Sequence, residues 1–573
     1  MSPPSRHNGP VHRSNDHSID RSRTAGADFL QLDPGQAPAG GLADWLARRL
    51  REAIGDGRLP VGSRLPATRV LAADLRVSRG VVTEAYRRLA EEGRIAGLGR
   101  GGTVVVDQFA PETVPPSPPP AGRSTTAQPP MTAPSPTTAR PPAAARSTAA
   151  HPGGTHPGGT RPGDTRPGPA RTGRVRPGPA RDTTPAPASP FDGEPATTVF
   201  DSLRTAPARI DLTPGVPDLA AFPRAAWLRA ERAVLRDLAA PDFGYGDPRG
   251  TPALRRAVAD WLARNRGIRA DPEEVLVVAG AAQALALVGE VLRADGLDVV
   301  AVEDPGSLGT RQHLGHRITA TPPVPVDAEG IRVDALRAVG ARAVLLTPAH
   351  QFPTGVVLGG ARRRELLQWG AEGGLVIEDD YDAEHRYDRP PVPALRGVLP
   401  EQVLYLGSVS KLLAPALRTG WVLAPTRYRD ALVDAKRLSD LGNAALPQLV
   451  LAHLMESGAL ERHLRLQRTR HRRRRDATAA AVAAHLPGAA VHGAAAGLHL
   501  MLTFPDGLPC TDAELAAAAL AHGVKVHPLS WHARLPHPPG LVLGYAAGTP
   551  GEIEEGVAVL GRLLREAGPP LPG

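Results

Sequence analysis

Positions 407–421 read GSVSKLLAPALRTGW and place a lysine just after two small hydroxyl residues, seven positions before an arginine. Lys411 is one of three lysines in the chain, with Lys436 and Lys525. The other 64 of its 67 Lys and Arg residues are arginine. Either side chain supplies a charge, but a guanidinium stays protonated, whereas a deprotonated lysine amine condenses with an aldehyde to form an imine. In so arginine-rich a chain, Lys411 points to imine chemistry rather than to a surface lysine left by chance. Ser408 and Ser410 add small hydrogen-bonding groups, and Arg418 offers a planar fork suited to phosphate. An aldehyde that carries a phosphate is pyridoxal 5′-phosphate. Its ring nitrogen needs an acid beside it, and VIEDDYD supplies carboxylates 32 residues upstream, at Asp379.

These residues act together only if a fold gathers them. From Ile210 to about Ala567, helical stretches alternate with short apolar runs such as EEVLVVAG, DVVAVED, RAVLLTP and GLVIEDD. That alternation predicts a largely parallel α/β sheet, with ligand groups at the carboxyl ends of its strands. At 573 residues the chain is too long for one core, so an α/β multidomain protein is expected. Its 61 glycines and 62 prolines point to a long unstructured segment. PPSPPPAGRSTTAQPPMTAPSPTTARPP and the imperfect five-residue repeat HPGGTHPGGTRPGDTRPGPA bury no core. Residues 1–39 therefore read as a disordered tail, 40–107 as a small helical domain, 108–206 as a disordered Pro/Ala/Thr/Arg-rich linker and 207–568 as the larger domain. As a coil of ~95 residues the linker has a mean span of roughly 50–60 Å. The single cysteine, Cys510, excludes internal disulfides and a Cys-built zinc site; no metal is expected, and a reducing compartment fits. No run of about 18 uncharged apolar residues marks a membrane span, and the N-terminus lacks the apolar core of a secretory signal. The expectation is a cytoplasmic protein without a membrane partner. A net charge of +9 gives mild support for a polyanionic partner.

The small domain shows where such a partner would bind. LADWLARRLREAIGDGRL puts Leu42, Trp45, Leu46, Leu50 and Ile54 at helical spacing. PATRVLAADLRVSRGVVTEAYRRLAEEGRI reads as helix, tight turn, helix. Pro66 starts the first helix, Leu71 and Leu75 point inward, and Ser78 is the expected N-cap of the second. Val82, Tyr86 and Leu89 form the buried face of that second helix, with Arg79, Gly80, Thr83 and Arg87 towards its exposed side. IAGLGRGGTVVV follows as a Gly-rich hairpin. This is the layout of a recognition helix followed by a wing.

The stretch from AIGDGRLPVGSRLPATRV through GRGGTVV resembles the winged-helix domain of the GntR family of bacterial regulators. The resemblance implies a double-stranded DNA operator, with phosphate contacts near Arg64 and Arg69. It also implies base and phosphate contacts near Arg79, Gly80 and Thr83, and a minor-groove approach by the wing at Gly99 and Arg100. Residues 210–567 resemble the fold-type I pyridoxal-phosphate aminotransferases. The matching stretches are FGYGDPRGTPALRRAVADWLARNRG, VVAGAAQALALV, VEDPG, TPAHQFPTG, VIEDDYDAEHRY and GSVSKLLAPALRTGW. A GntR winged helix ahead of such a domain resembles the MocR-type regulators.

Carried onto this sequence, the resemblance implies that Lys411 forms the internal aldimine. Asp379 pairs with the pyridine nitrogen, with Asp380 its rival, and Tyr381 bonds the ring hydroxyl. Ser408 and Arg418 hold the phosphate with Ser410 beside them, and the amides around Ala281 and Ala282 cradle it. Tyr245 is assigned to the phosphate of a neighbouring subunit, which implies a homodimer. In AHQFPTG the family's asparagine before the proline is replaced by Phe352, which leaves its role to His350 or Gln351. Two departures stand out. Ser307 occupies the place of a ring-stacking tyrosine, and Val542 that of a carboxylate-binding arginine, with Arg534 as a weak substitute. The missing arginine favours a cofactor-binding regulator, with a small amine or amino acid as a further effector, over an enzyme. An aminotransferase with an appended DNA-binding domain is the alternative, and a DNA-binding protein with a vestigial dimerisation body the third reading. LRLQRTRHRRRRDAT at 464–478 reads as a solvated helix of the α/β unit rather than a DNA patch.

Overall fold

A computed structural model describes residues 30, 32–38, 40–55, 58–97, 102–106, 189–387 and 392–568. Gly99 and Arg100, the expected linker as far as residue 188, and most of the expected tail lie outside the described residues.

In the N-terminal part, the apolar spacing after residue 41 yields α1 (Leu42–Gly55), which buries Trp45, Leu46 and Leu50. Those side chains share a core with Leu71 and Leu75, at α2 (Thr68–Asp74), and with Val82, Tyr86 and Leu89 of α3 (Arg79–Glu91). The tight turn between α2 and α3 passes through Arg76 at φ 53°, in the left-handed region. Two expectations need correction. α2 begins two residues after Pro66. Ser78 does hold the N-cap position of α3, but its hydroxyl makes no cap bond. The nearest satisfied donor is the Val81 N–H, 3.0 Å from the Ser78 carbonyl. The Tyr86 hydroxyl ties α3 to the start of α2 by donating to Pro66 O at 2.8 Å. β1 (Arg64–Leu65), β2 (Ile95–Gly97) and β3 (Thr103–Val105) form an antiparallel sheet in the order β1-β3-β2, completing a winged helix.

Leu30, Leu32 and Ala37 pack against that same core, so the expected tail contributes to it. The expected linker also ends early. Phe191 is buried and stacks on Trp531 at 5.1 Å, and the helix Val199–Thr205 buries Val199 and Leu203. The Pro- and Thr-rich composition hid these few apolar residues, which join a core built largely from the C-terminal part of the chain.

The larger part is built on strands β4 (Ile210–Asp211), β5 (Val275–Val278), β6 (Val300–Asp304), β7 (Pro323–Asp327), β8 (Gly330–Ile331), β9 (Ala343–Leu346), β10 (Leu375–Asp380), β11 (Val403–Ser408) and β12 (Gly420–Leu423). β5 to β12 make one sheet in the order β5-β12-β11-β10-β9-β6-β7-β8. The central pairs β11-β10-β9-β6-β7 are parallel, and β12 runs against both of its neighbours. β5, β6, β9 and β10 are buried at every residue, as unbroken apolar runs require of a sheet covered on both faces. Their carboxyl ends, with the turn into β12, converge on one edge. A second antiparallel sheet, ordered β13-β14-β17-β16, comes from β13 (Ala490–His492), β14 (His499–Thr503), β16 (His527–Pro528) and β17 (Gly540–Gly544). β15 (Val524–Lys525) lies between β14 and β17 in the chain and pairs with β4.

The arginine run lies within one long helix, Ala459–His485. Its inner face buries His463, Leu464, Gln467, His471 and Arg474, while Arg465, Arg470, Arg472 and Arg473 face solvent. Among the described residues no helix is long and apolar enough to cross a membrane.

Candidate functional site

The carboxyl edge of the large sheet gathers the chemistry-bearing residues. Strand alternation puts Glu378 and Asp380 of β10 on one face and Asp379 on the other. Asp380 is committed. It is paired with the fully buried Arg266 at 2.5 Å and accepts a hydrogen bond from the Tyr405 hydroxyl at 2.5 Å. Glu378 accepts from the Leu395 and Arg396 amides at 3.0 and 3.1 Å. No such partner holds Asp379 among the described residues. Burial, with the Asp380 and Asp382 carboxylates nearby, pushes its pKa up to about 7, and Lys411 pulls the other way. Of the two candidate acids, Asp379 is therefore the one open to a cationic ligand group.

Lys411 follows β11 and is partly buried, with its ammonium donating to the Gly215 carbonyl. A methyl at Gly215, which has φ +83°, would lie 2.9 Å from the lysine nitrogen, so that chain must pass as glycine. Burial lowers the lysine pKa, opposed by the Asp382 and Asp379 carboxylates. The Ser408 hydroxyl reaches Ser410 Oγ at 2.9 Å and accepts from the Ser410 amide at 3.1 Å. Arg418 is exposed, has φ 45°, and donates to the Ala279 carbonyl. Its guanidinium lies beside Gly280, the N-cap of the helix Ala281–Ala294, where no side chain caps the first amides. Ala281 and Ala282 open that helix. A fork, two hydroxyls and a helix N-terminus thus share one corner, a combination suited to a dianionic phosphate.

Lys436 was not anticipated here. It is fully buried and donates to Gln283 at 2.9 Å, to Asp440 at 2.6 and 2.7 Å, and to Asn443 at 2.6 Å. Gln283 also accepts from the Ala279 amide, and Asn443 donates to the Arg418 carbonyl, so Lys436 braces the loop that carries Arg418. The scarcity of lysine was the available signal, since Lys525 is buried as well.

Tyr381 and His350 meet at 3.1 Å, between the phenol oxygen and Nδ1. Gln351 instead serves the loop. It donates to Pro305 O and Phe352 O and accepts from Thr354, so of the two candidates for the asparagine's place only His350 reaches the site. Ser307 accepts from the Thr310 amide at 3.2 Å as the cap of the following helix. Val542 is fully buried in an apolar cluster with Met501 and Leu529, with Phe352 packed against it. Arg534 does not reach that cluster. Its amide donates to Asp304, and its guanidinium donates to the Thr321 carbonyl. Tyr245 is 96 % exposed, two residues after the exposed Phe243.

In the winged helix, Arg64, Arg69, Arg79, Gly80 and Thr83 are all exposed. Arg79 opens α3, and its Nε lies 3.4 Å from Thr68 Oγ1.

Two families match the chain. Aminotransferase class I and II covers residues 209–560, and the gntR family of bacterial regulatory proteins covers residues 42–105. A probable rhizopine catabolism regulatory protein, MocR, of Rhizobium meliloti is 29% identical over 89% of this chain and 91% of its own length. The HTH-type pyridoxine biosynthesis transcriptional regulator PdxR of Corynebacterium glutamicum is 34% identical over 52% of this chain and 64% of its own. The 2-aminoadipate transaminase of Thermus thermophilus is 32% identical over 65% of this chain and 94% of its own. Among solved structures, a multiple substrate aminotransferase from Thermococcus profundus superposes with a TM-score of 0.59 at 28% identity, covering 64% of this chain and 94% of that one.

Proposed function

Because the chain belongs to the class I and II aminotransferase family and joins that domain to a GntR-type helix-turn-helix, as MocR-type transcriptional regulators do, we propose that it is a cytoplasmic regulator that binds an operator through α3 and pyridoxal 5′-phosphate through Lys411. The observation that carries the cofactor reading is the division of labour between two adjacent acids. Asp380 is consumed by Arg266 and Tyr405, while Asp379 is buried and unpaired beside Lys411. A buried carboxyl without a partner is costly unless a cation meets it, and a protonated ring nitrogen is such a cation.

The residues fit the group. Arg418, Ser408, Ser410 and the amides at Ala281 and Ala282 would hold its phosphate, Tyr381 its ring hydroxyl, and Asp379 its ring nitrogen. When bound, the cofactor supplies an aldehyde that condenses with an amine. Burial lowers the affinity of the Lys411 amine for its proton and so raises the fraction able to react. Gly215 O holds that amine in place.

The exposed apolar side chains of Leu219, Leu228, Phe243 and Tyr245 support a homodimer, in which Tyr245 would serve the partner's phosphate corner. Val542 and its apolar neighbours offer no guanidinium to a substrate carboxylate, which supports sensing over turnover. The regulated genes are those of vitamin B6 or amino-acid metabolism, a reading supported by the likeness to the pyridoxine biosynthesis regulator.

The likeness to the 2-aminoadipate transaminase, almost end to end, supports a second reading: an active aminotransferase with an appended DNA-binding domain. Operator binding measured with and without pyridoxal phosphate, alongside turnover assays on amino acid and keto acid pairs, separates the two. A cofactor-dependent change in operator affinity without multiple turnovers is expected. Sustained turnover would establish the second reading. Operator affinity indifferent to the cofactor would end the first.

A further inference from the structure

Asp382 is a buried carboxylate in front of Lys411 that the proposed function leaves without a task. It is 1 % exposed, as is His350, and its Oδ2 lies 2.9 Å from His350 Nδ1. The same nitrogen is the one 3.1 Å from the Tyr381 phenol. His350 Nε2 is buried and has no hydrogen-bond partner. A carboxylate can only accept, so the hydrogen of the imidazole sits on Nδ1 and points at Asp382. A hydrogen on Nε2 would have no acceptor there. With its Nδ1 lone pair gone, His350 cannot accept from Tyr381. The Asp382 side chain is hydrogen-bonded to the phenol as well, so Asp382 and His350 together fix its position.

The backbone holds this arrangement. Gly497 has φ +82°, and a methyl there would lie 1.9 Å from His350 Cε1. Its amide donates to the His385 carbonyl at 2.9 Å, and its carbonyl accepts from Tyr545 at 2.7 Å. Gly355 closes the slot, where a methyl would stand 3.2 Å from His350 Nε2. The imidazole is thus gripped between two glycines and has one orientation.

The charged and titratable groups around Asp382 come from every side. Asp379 and Tyr381 stand on the β10 side and Lys411 on the loop after β11. His499 lies on β14, and His385, Tyr387 and Tyr545 stand behind. Burial pushes His499 down to about 3 and His385 down to about 4, so neither supplies positive charge near neutral pH. Arg468, Arg472 and Arg475 lie beyond His385 and Tyr387. The first two donate to the carbonyls of Glu384 and Tyr387, and Arg475 pairs with Asp476. Lys411 is a cation on which the Asp382 charge acts within the site.

We propose that Asp382 is a positioning residue of the Lys411 site: together with His350 it fixes the Tyr381 phenol beside the ligand, and its charge holds a proton on the nitrogen at Lys411. This rests on the pyridoxal phosphate reading. The test is a pH titration of the visible absorbance of the full-length, cofactor-loaded protein, together with cofactor affinity. Asp382→Asn keeps the shape and removes the charge. The midpoint of its spectral transition is expected to fall by about one pH unit, because a lost neighbouring carboxylate favours the deprotonated form. His350→Asn, which loosens Tyr381 but keeps the carboxylate, is expected to lose cofactor affinity several-fold with a smaller change in midpoint. A purely structural role would lower the melting temperature of either variant and move neither midpoint nor affinity, and that result overturns the proposal. If Asp382→Asn does not fold, parental affinity and midpoint in His350→Asn overturn it equally. No visible band in the parent protein defeats the cofactor reading itself, whereas a band whose midpoint ignores Asp382 defeats only this inference.

Discussion

Arg64, Arg69 and Arg79 of the winged helix are exposed, and among the described residues none pairs with a carboxylate; Arg266, Arg396 and Arg474 of the large domain are buried, and each is spoken for. Arg266 holds Asp380, Arg396 donates to the Val403 and Ala424 carbonyls and to Glu274, and Arg474 holds Asp218 at 2.9 Å. A guanidinium whose donors end on its own chain is part of the architecture. One kept in water without a counter-charge remains available to phosphate. Arg418 belongs with the winged-helix arginines although it sits in the large domain, because it is exposed and pairs with no carboxylate among the described residues. Residue type alone does not separate the two uses; commitment of the donors does.

The contrast is broken most forcefully at Asp380. Asp380→Asn leaves Arg266 buried without its counter-charge, and a loss of about 3–5 kcal/mol in unfolding free energy is expected by chemical denaturation. A near-neutral result would show that Arg266 is not structural. Arg79→Ala, an available arginine, is expected instead to leave stability alone and to cost about 1–3 kcal/mol of operator binding with relaxed discrimination between sites. Arg69→Ala sharpens the distinction further, since a phosphate contact should weaken all sites together and reduce the salt dependence by about one counterion. Parental operator binding by both variants at matched salt would remove α3 from the role of recognition helix.

A subtler effect concerns Asp379. Its folded pKa of about 7 stands above the ordinary value of 3.8, so between those limits the folded, cofactor-free protein binds a proton that the unfolded chain does not. Stability from this group is present at low pH and is lost as pH rises through about 7. Asp379→Asn should flatten that part of the stability profile, and cofactor-induced stabilisation of the parent should grow over the same window. The smallest effect is expected of Lys525→Arg, which should leave the spectrum unchanged. Lys436→Arg should also retain the visible band but bind the cofactor more weakly, because it disturbs the brace beneath Arg418.

Much of this arrangement was legible in the residues. The alternation of apolar runs with helices gave the parallel sheet, because strands buried on both faces must be apolar throughout. The rarity of lysine singled out Lys411, and VIEDDYD located the acids. Sequence could not choose between Asp379 and Asp380, since the choice depends on Arg266, more than 110 residues away in the chain and brought in by folding. Nor could it reveal that Phe191, Val199 and Leu203 belong to the core, because their partners come from the C-terminal sheet and its helices. Nothing in the residues around Lys436 marks it out. Its burial among Gln283, Asp440 and Asn443 is a tertiary fact.

The central claim is that Lys411, alone among three lysines, carries the cofactor. Borohydride reduction of the protein loaded with pyridoxal phosphate, followed by peptide mapping, tests it most directly. The account predicts a single phosphopyridoxyl adduct on Lys411, and a Lys411→Arg protein that shows neither adduct nor visible band. An adduct on Lys436 or Lys525, or an unchanged band in the Lys411→Arg protein, would contradict it.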